Sequence, residues 1–429
     1  MKYNKWTVAL AALGVVSFAS AAKAEEKASP IMTALSSTTI SGYVDTSAQW
    51  NPNSGCNNLP PYKFNNCNKS DGFNLNVVQL RIDKPLDESD WASGYRADLW
   101  FGPDANALNT TSTGQANANS DFAIRQAYVA LRAPVGTGLD FKMGVFDSII
   151  GYESIESGNN PNFTRSYGHS IEPQTMTGLL ASYRFCDCFS ASAGVANTWN
   201  STINDRPFAP VNAPNQPETS ESYKAYMASV ALTAPDDWGF LSGSTLYAGI
   251  VNGFDDVNLA GLAPAPDQPV TVTSYYVGAT VATPVTGLRA GVAVDVLDVH
   301  HVDNQTYSIA GYLSYQATEK LSFHGRVEYF RDKLGDTSTA PNRGILFAPD
   351  GNPTSPSLDG EDMAEVLALT GTVQYDLWKN VISRLEVRYD TSLSGNDLFG
   401  GDANASTVSG AAADKGQAWM VALNVIYKF

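Results

Sequence analysis

The chain is poor in most of what a nucleic-acid binder, a metalloenzyme or a helical membrane protein is built from. Its 429 residues carry 27 Lys and Arg against 43 Asp and Glu, whereas binding to nucleic acid rests on cations that neutralise phosphates. Histidine is limited to His169, His300, His301 and His324, so a nucleophile or activated water has few bases to sit beside. No Gly-rich loop opens a helix to cradle a phosphate. Charge of either sign is sparse, at 16% of residues. A single apolar run, Trp6 to Ala19, approaches membrane-helix character, and it falls short of the roughly 20 residues a helix needs to cross a bilayer. Any membrane span must then be made of β-strands.

The short run has another meaning. Lys2 and Lys5 precede it and Ala22-Lys23-Ala24 follows it as an A-x-A cleavage pattern, the arrangement of a signal peptide over residues 1–24. Its removal would leave 24 basic against 43 acidic residues, a net charge of −19, with residues 25–37 as a periplasmic N-terminal segment. Export permits disulfides among the four cysteines. Cys56 and Cys67 bracket NNLPPYKFNN, and a bridge there would staple one loop. Cys186 and Cys188 flank a single Asp, a spacing compatible with a strained bridge or with two free thiols. Neither pair has histidines at zinc-like spacing.

What the chain has in quantity is alternation. In the terminal stretch Gly416 to Phe429, Trp419, Val421, Leu423, Val425, Tyr427 and Phe429 share one parity, while Ala418, Met420, Ala422, Asn424, Ile426 and Lys428 share the other. A dozen alternating residues is long for a soluble strand, usually about 5–6, and suits a tilted strand crossing a bilayer, which takes about 9–11. Unpaired backbone groups are too costly in hydrocarbon for such a strand to stand alone. The same unit recurs from Thr39 to Trp50 onward, separated alternately by short turns and long polar loops. The spacing predicts an all-β fold over residues 38–429: a transmembrane antiparallel β-barrel of about 16 strands with short periplasmic turns and long outer loops. Weak alternation in Ser222–Ala234 and Phe240–Val251 leaves 14 or 18 strands open. A phase change at Val77-Val78 predicts a bulge. The terminal strand is expected to pair with Thr39–Trp50 and close the barrel.

Sixteen strands enclose water rather than a packed interior. An Arg facing lipid at the midplane would cost about 2–4 kcal/mol. Parity therefore assigns Arg96, Arg184, Arg289, Arg326, Arg384 and Arg388 to the pore wall, interspersed with Asp98, Asp140, Asp295, Glu328 and Glu386. The long loop of residues 148–174 follows the fifth strand. With Asp147 at its root, it carries Glu153, Glu156, Arg165, His169 and Glu172 beside apolar Ile149, Ile150 and Ile155. Folded inward, it would constrict the pore and set an acidic edge against the Arg-bearing wall, giving a transverse field.

In this region KMGVFDSIIGYESIES and NFTRSYGHSIEPQTMTG, with their Ile-Gly-Tyr-Glu and Arg-Ser patterns, resemble the OmpL-like, second family of bacterial β-barrel porins. The resemblance is weaker over the other strands and absent from the fourth, fifth and seventh loops. It implies an outer-membrane diffusion channel without naming a solute, a homotrimer as the family's habit, and contact with lipid and lipopolysaccharide. The aromatic terminus, Tyr427 and Phe429, resembles the signal by which the barrel assembly machinery recognises its clients. The sequence thus points to passive passage of small hydrophilic solutes and ions. Two alternatives are a selective anion or sugar channel, and a structural or adhesive barrel with a blocked lumen. No catalytic role and no cofactor is expected. Two metal candidates stand beside the plainer reading of a solvated loop: Ca²⁺ on Asp350, Asp359, Glu361 and Asp362 of the segment Ala340 to Asp362, and a metal on His300 and His301 at the lumen mouth, with the solvated loop the favoured reading of both.

Overall fold

A computed structural model describes residues 37–52, 58–108, 110, 120–206, 223–255, 270–300, 304–333, 346–347, 363–401 and 413–429. The signal segment, Cys56, His301 and the Ca²⁺ candidates lie outside these residues. The strands are β1 (Thr39–Trp50), β2 (Gly72–Lys84), β3 (Ser93–Phe101), β4 (Phe122–Ala133), β5 (Leu139–Asp147) and β6 (Thr175–Cys186). They continue as β7 (Phe189–Ala196), β8 (Ala225–Thr233), β9 (Thr245–Asp255), β10 (Val270–Ala282) and β11 (Leu288–Val299). The series ends with β12 (Asn304–Gln316), β13 (Leu321–Lys333), β14 (Met363–Tyr375), β15 (Val381–Ser392) and β16 (Gln417–Lys428). Each pairs antiparallel with its chain neighbours and β1 pairs with β16, so the sheet is a closed barrel without edges.

The seam is the pairing expected of the terminal strand. Tyr43 stands opposite Lys428 and Trp50 opposite Val421. The backbone N–H groups of Gly42 and Phe429 each donate to the other's carbonyl at 3.0 Å. Gly42 is required here, because a Cβ on it would fall 2.1 Å from the Gln79 carbonyl oxygen and 2.7 Å from the Phe429 ring. Along β16, Trp419, Leu423 and Tyr427 are exposed on the outer wall, while Met420, Ala422, Asn424 and Ile426 are buried inside. Outward aromatics gather at strand ends, Trp91, Phe185, Trp238 and Trp378 by the turns and Trp50 and Phe101 by the loops, as expected where strands cross the two interfaces.

Three register shifts interrupt the ladders among the described residues, two of them bulges on β2 and β4 and one beside the β6–β7 turn, between Arg184 and Cys186. The first sits at Asn76, one residue before the predicted phase change: Asp45 pairs with Val77 and Thr46 with Leu75. The extra Asn76 turns its amide inward to Asp45 Oδ1 at 2.9 Å. The second lies at Arg125, since Asp98 pairs with Gln126 and Leu99 with Ile124. β9 begins later than the apolar run suggests. Residues 239–244 belong instead to a wide turn in which Gly239 and Gly243 take positive φ. Cys186 and Cys188 are bonded to each other across the β6–β7 turn. Cys67 is also disulfide-bonded.

Candidate functional site

The segment 148–174 enters the barrel and fastens to the inward faces of strands on both sides. Within it, α1 (Tyr167–Ile171) is capped by Ser166, whose Oγ accepts the His169 N–H at 3.0 Å. A loop leaving water must satisfy its backbone elsewhere, and here wall side chains supply the partners. Glu386 of β15 accepts the Phe163 and Thr164 N–H groups at 2.6 and 2.8 Å. Glu328 of β13 accepts the Gly168 N–H at 2.9 Å. Arg384 donates to the carbonyls of Ser157 and Asn160 at 3.1 and 2.8 Å, and Arg388 to that of Arg165 at 2.6 Å. Lys428 of the closing strand donates to the Gly158 carbonyl at 2.9 Å.

Ion pairs tie down the acids. Arg326 Nη1 lies 2.7 Å from Glu153 Oε1, with both side chains almost fully buried. Burial alone would raise the Glu153 carboxyl, and Arg326, aided by Arg165 and the Ser166 N–H, more than offsets this, holding it below the ordinary glutamate range. Across the lumen, Arg81, Arg96 and Arg125 of β2, β3 and β4 converge on Asp98 and Glu156. Arg96 and Arg125 each reach Asp98 Oδ2 at 2.7 Å, Arg81 reaches its Oδ1 at 2.9 Å, and Arg125 also holds Asp147 at 2.6 Å. Glu156 bonds Arg81 and lies 3.1 Å from Arg125. Its carboxyl is held below the ordinary range, burial being overcome chiefly by Arg81 and Arg125. Through Glu153 and Glu156, residues 148–174 (loop three) therefore touch cations directly, and these pairs cancel much of the transverse field that a gap would have left.

The remaining predicted positions divide. Glu172 meets Asp295 of β11, and burial together with that neighbour pushes its carboxyl well up. His169 Nδ1 is 3.5 Å from Glu172, and burial pulls the ring down to about 3, so it is neutral at ordinary pH. Arg165 donates to the carbonyls of Phe163 and Ile155, both at 2.8 Å. Arg184 lies away from loop three, bonded to Asp187 in the disulfide turn. Arg289 reaches the Gly243 carbonyl at 3.4 Å near the same end of the barrel. His300 contacts Thr273 Oγ1 at 2.9 Å.

Parity reasoning missed two members of the Arg cluster. Arg81 follows the first bulge, where the phase was ambiguous. Arg125 is itself the bulged residue: counted from Val129 and Ala127 it would face lipid, and the inserted residue turns it inward. The small side chains Gly144, Gly178, Ser182, Ser192, Gly194 and Ser229 share the inward face of β5–β8. Lys142 lies beside them, its ammonium 5.1 Å from the Tyr128 ring centre. On the opposite side Tyr167, Phe330, Phe347 and Phe399 pack into an aromatic cluster.

The family model described as putative beta-barrel porin-2, OmpL-like, matches residues 37–429. The chain belongs to this porin family. DcaP, an outer-membrane channel of Acinetobacter baumannii, matches with a TM-score of 0.55 at 12% identity, over 91% of this chain and 97% of its own. OmpT of Vibrio cholerae in its trimer form gives 0.54 at 12% identity, over 91% and 99%. An anion-selective porin from Comamonas acidovorans gives 0.51 at 12%, over 91% and 99%. No curated protein matches. At such identities the likeness to solved structures is one of fold. This porin is an outer-membrane channel with a closed 16-strand barrel.

Proposed function

We propose that this porin is a passive diffusion pore for small hydrophilic solutes and ions, narrowed by loop three. The observation that carries the proposal is the fastening of residues 148–174 to both sides of the interior: Glu153 to Arg326 on one side and Glu156 to the Arg81, Arg96 and Arg125 cluster on the other. Such a loop stays in the barrel at fixed height, and solutes pass between it and the wall of β5–β8. Signal-peptide export through residues 1–24, recognition of the Phe429 terminus by the assembly machinery, contact with lipopolysaccharide and a homotrimeric assembly complete the reading. The trimer form of the similarly folded OmpT supports the last of these.

The chain is proposed to be no enzyme. His324 contacts the hydroxyls of Ser322 and Ser314 at 2.9 Å each, and among the described residues no carboxylate orients the ring as a triad would require. Selectivity for anions is the second reading, favoured by Lys142, which has no ion-pair partner among the described residues of the open wall, and by the anion-selective neighbour. Purified protein in a planar bilayer tests both. Single-channel steps are expected, and reversal potential in a salt gradient reads the preference. A folded protein that passes no current would leave the structural or adhesive barrel standing.

A further inference from the structure

The described residues 58–71 of the β1–β2 connection, loop one, lie beside loop three, and the two border a cavity of about 20 Å³. Several hydrogen-bond donors on its lining lack an acceptor. Arg165 Nε, Ser157 Oγ and the Tyr62 hydroxyl are buried and unpartnered among the described residues. The Lys63 ammonium, also on the lining, has no carboxylate or other acceptor among the described residues; only its backbone N–H is engaged, to Ser170 Oγ at 2.8 Å. Arg165 meets carbonyls and lies 5.6 Å from the Phe64 ring centre. The acids bordering the cavity are already spent. Asp104 is bonded by Lys69, and Asp45 accepts the amides of Asn76 and Asn424 at 2.9 and 2.7 Å.

Buried donors without acceptors are uncommon in folded proteins and call for a partner. Two cations facing one cavity without a carboxylate of their own strengthen that demand. We propose that this cavity is a binding subsite for a small monoanion, a halide or a formate-sized carboxylate, held by Lys63, Arg165, Ser157 and Tyr62. The volume, little more than the roughly 10–15 Å³ that holds one water, limits the occupant to a few heavy atoms. Lys63 and Phe64 at the rim are partly exposed, leaving a way in. The subsite's place on a solute route rests on the reading of the chain as an open pore, whereas the binding itself does not.

The protonation of the surroundings agrees with this assignment. Burial pulls the Lys63 ammonium down to about 8, so its charge is present at neutral pH and an anion would hold it to higher pH. Asp104 is pushed up to about 6 by burial, against the pull of Lys69, so repulsion from this side weakens in mild acid. His169, whose ring also feels Lys63, is neutral throughout that range.

The test is chloride-35 NMR line width on the full chain, folded in detergent, with formate as competitor. We expect excess broadening that formate displaces and that strengthens as the pH falls from about 9 to about 6, through the Lys63 and Asp104 titrations. In folded Lys63→Met, loss of one charge-assisted bond should weaken halide binding about ten-fold. Tyr62→Phe should weaken it less, and Lys320→Met, in a remote turn, should leave it unchanged. Broadening that survives Lys63→Met, or no broadening in the wild type, overturns the subsite. Loss on Lys63→Met without displacement by formate supports it for halides alone. Bilayer current from the same preparation separates the two readings: current without broadening overturns only the subsite, and broadening without current overturns only the pore.

Discussion

Replacing Glu153 by Gln tests whether buried ion pairs hold loop three in the pore. The carboxylate accepts from Arg326 Nη1 at 2.7 Å, from the Tyr312 hydroxyl at 3.2 Å and from the Ser166 N–H at 2.8 Å. The amide in Glu153→Gln would keep the shape and one acceptor while stranding the Arg326 charge among neutral partners. Removing one member of a buried pair costs about 3–5 kcal/mol. The Thr164 and Arg165 carbonyls that remain on Arg326 at 2.8 and 3.1 Å place the loss near the lower figure. A loss of about 3 kcal/mol shifts the ratio of docked to undocked loop by roughly a hundred-fold. It falls on the loop, because the barrel ladder does not pass through Glu153. Reversal potential in a salt gradient should move toward anions, and limited proteolysis should cut the loop faster. Glu153→Gln combined with Arg326→Met removes the stranded charge and should restore part of both properties, with a coupling of about 1–3 kcal/mol. Folded Glu153→Gln with unchanged reversal potential and unchanged cleavage would refute the reasoning.

Other outcomes follow from the same contacts. Because Arg326 keeps the folded Glu153 pKa below its unfolded value, near about 4.3, the pair's contribution is present above that value and is lost as pH falls through the lower, folded one. Proteolytic protection of loop three should therefore be flat from neutral pH to about 5 and then decline. Glu172 has the opposite sign: its folded pKa is raised, so its contribution is full in acid and lost as the pH rises through that value. Open-channel current noise should grow as the pH rises through that raised pKa in the wild type and stay level in Glu172→Gln. Deleting Phe429 removes the hydrogen-bonded pair with Gly42 at the seam, and should lower the yield of heat-modifiable folded barrel while leaving single-channel conductance of the surviving pores unchanged. Lys142→Glu breaks no ion pair among the described residues but loses the Tyr128 ring contact, so it should shift reversal potential toward cations with a small fall in melting temperature.

The strand order, the closure and the inward Arg388, Arg384 and Arg326 were legible because alternation has a strict period of two and a charge in lipid is expensive. The failures occurred where an extra residue resets that period. Arg125 is a central member of the lumen cluster, yet counting outward from its neighbours sends it to the wrong face. Arg81 was hidden by the bulge at Asn76. The apolar residues after Trp238 read as the start of β9, although glycines with positive φ fold them into a turn. Loop three was legible as a long acidic segment in a telling position. Its contacts were not, since Glu153 meets Arg326 across 173 positions of chain.

By itself the sequence determined a barrel, a seam between its first and last strands and the inward identity of most wall residues, because each follows from local period and hydration cost. Only the tertiary structure decided that Glu153 and Glu156 of loop three are bonded to their cations instead of facing them across a gap, and that Glu172 meets Asp295. It alone brought Lys63, Ser157 and Arg165 to one cavity. Those outcomes depend on the path of a loop through the barrel, which is fixed by distant partners for its backbone and charges and leaves no period in the chain to read.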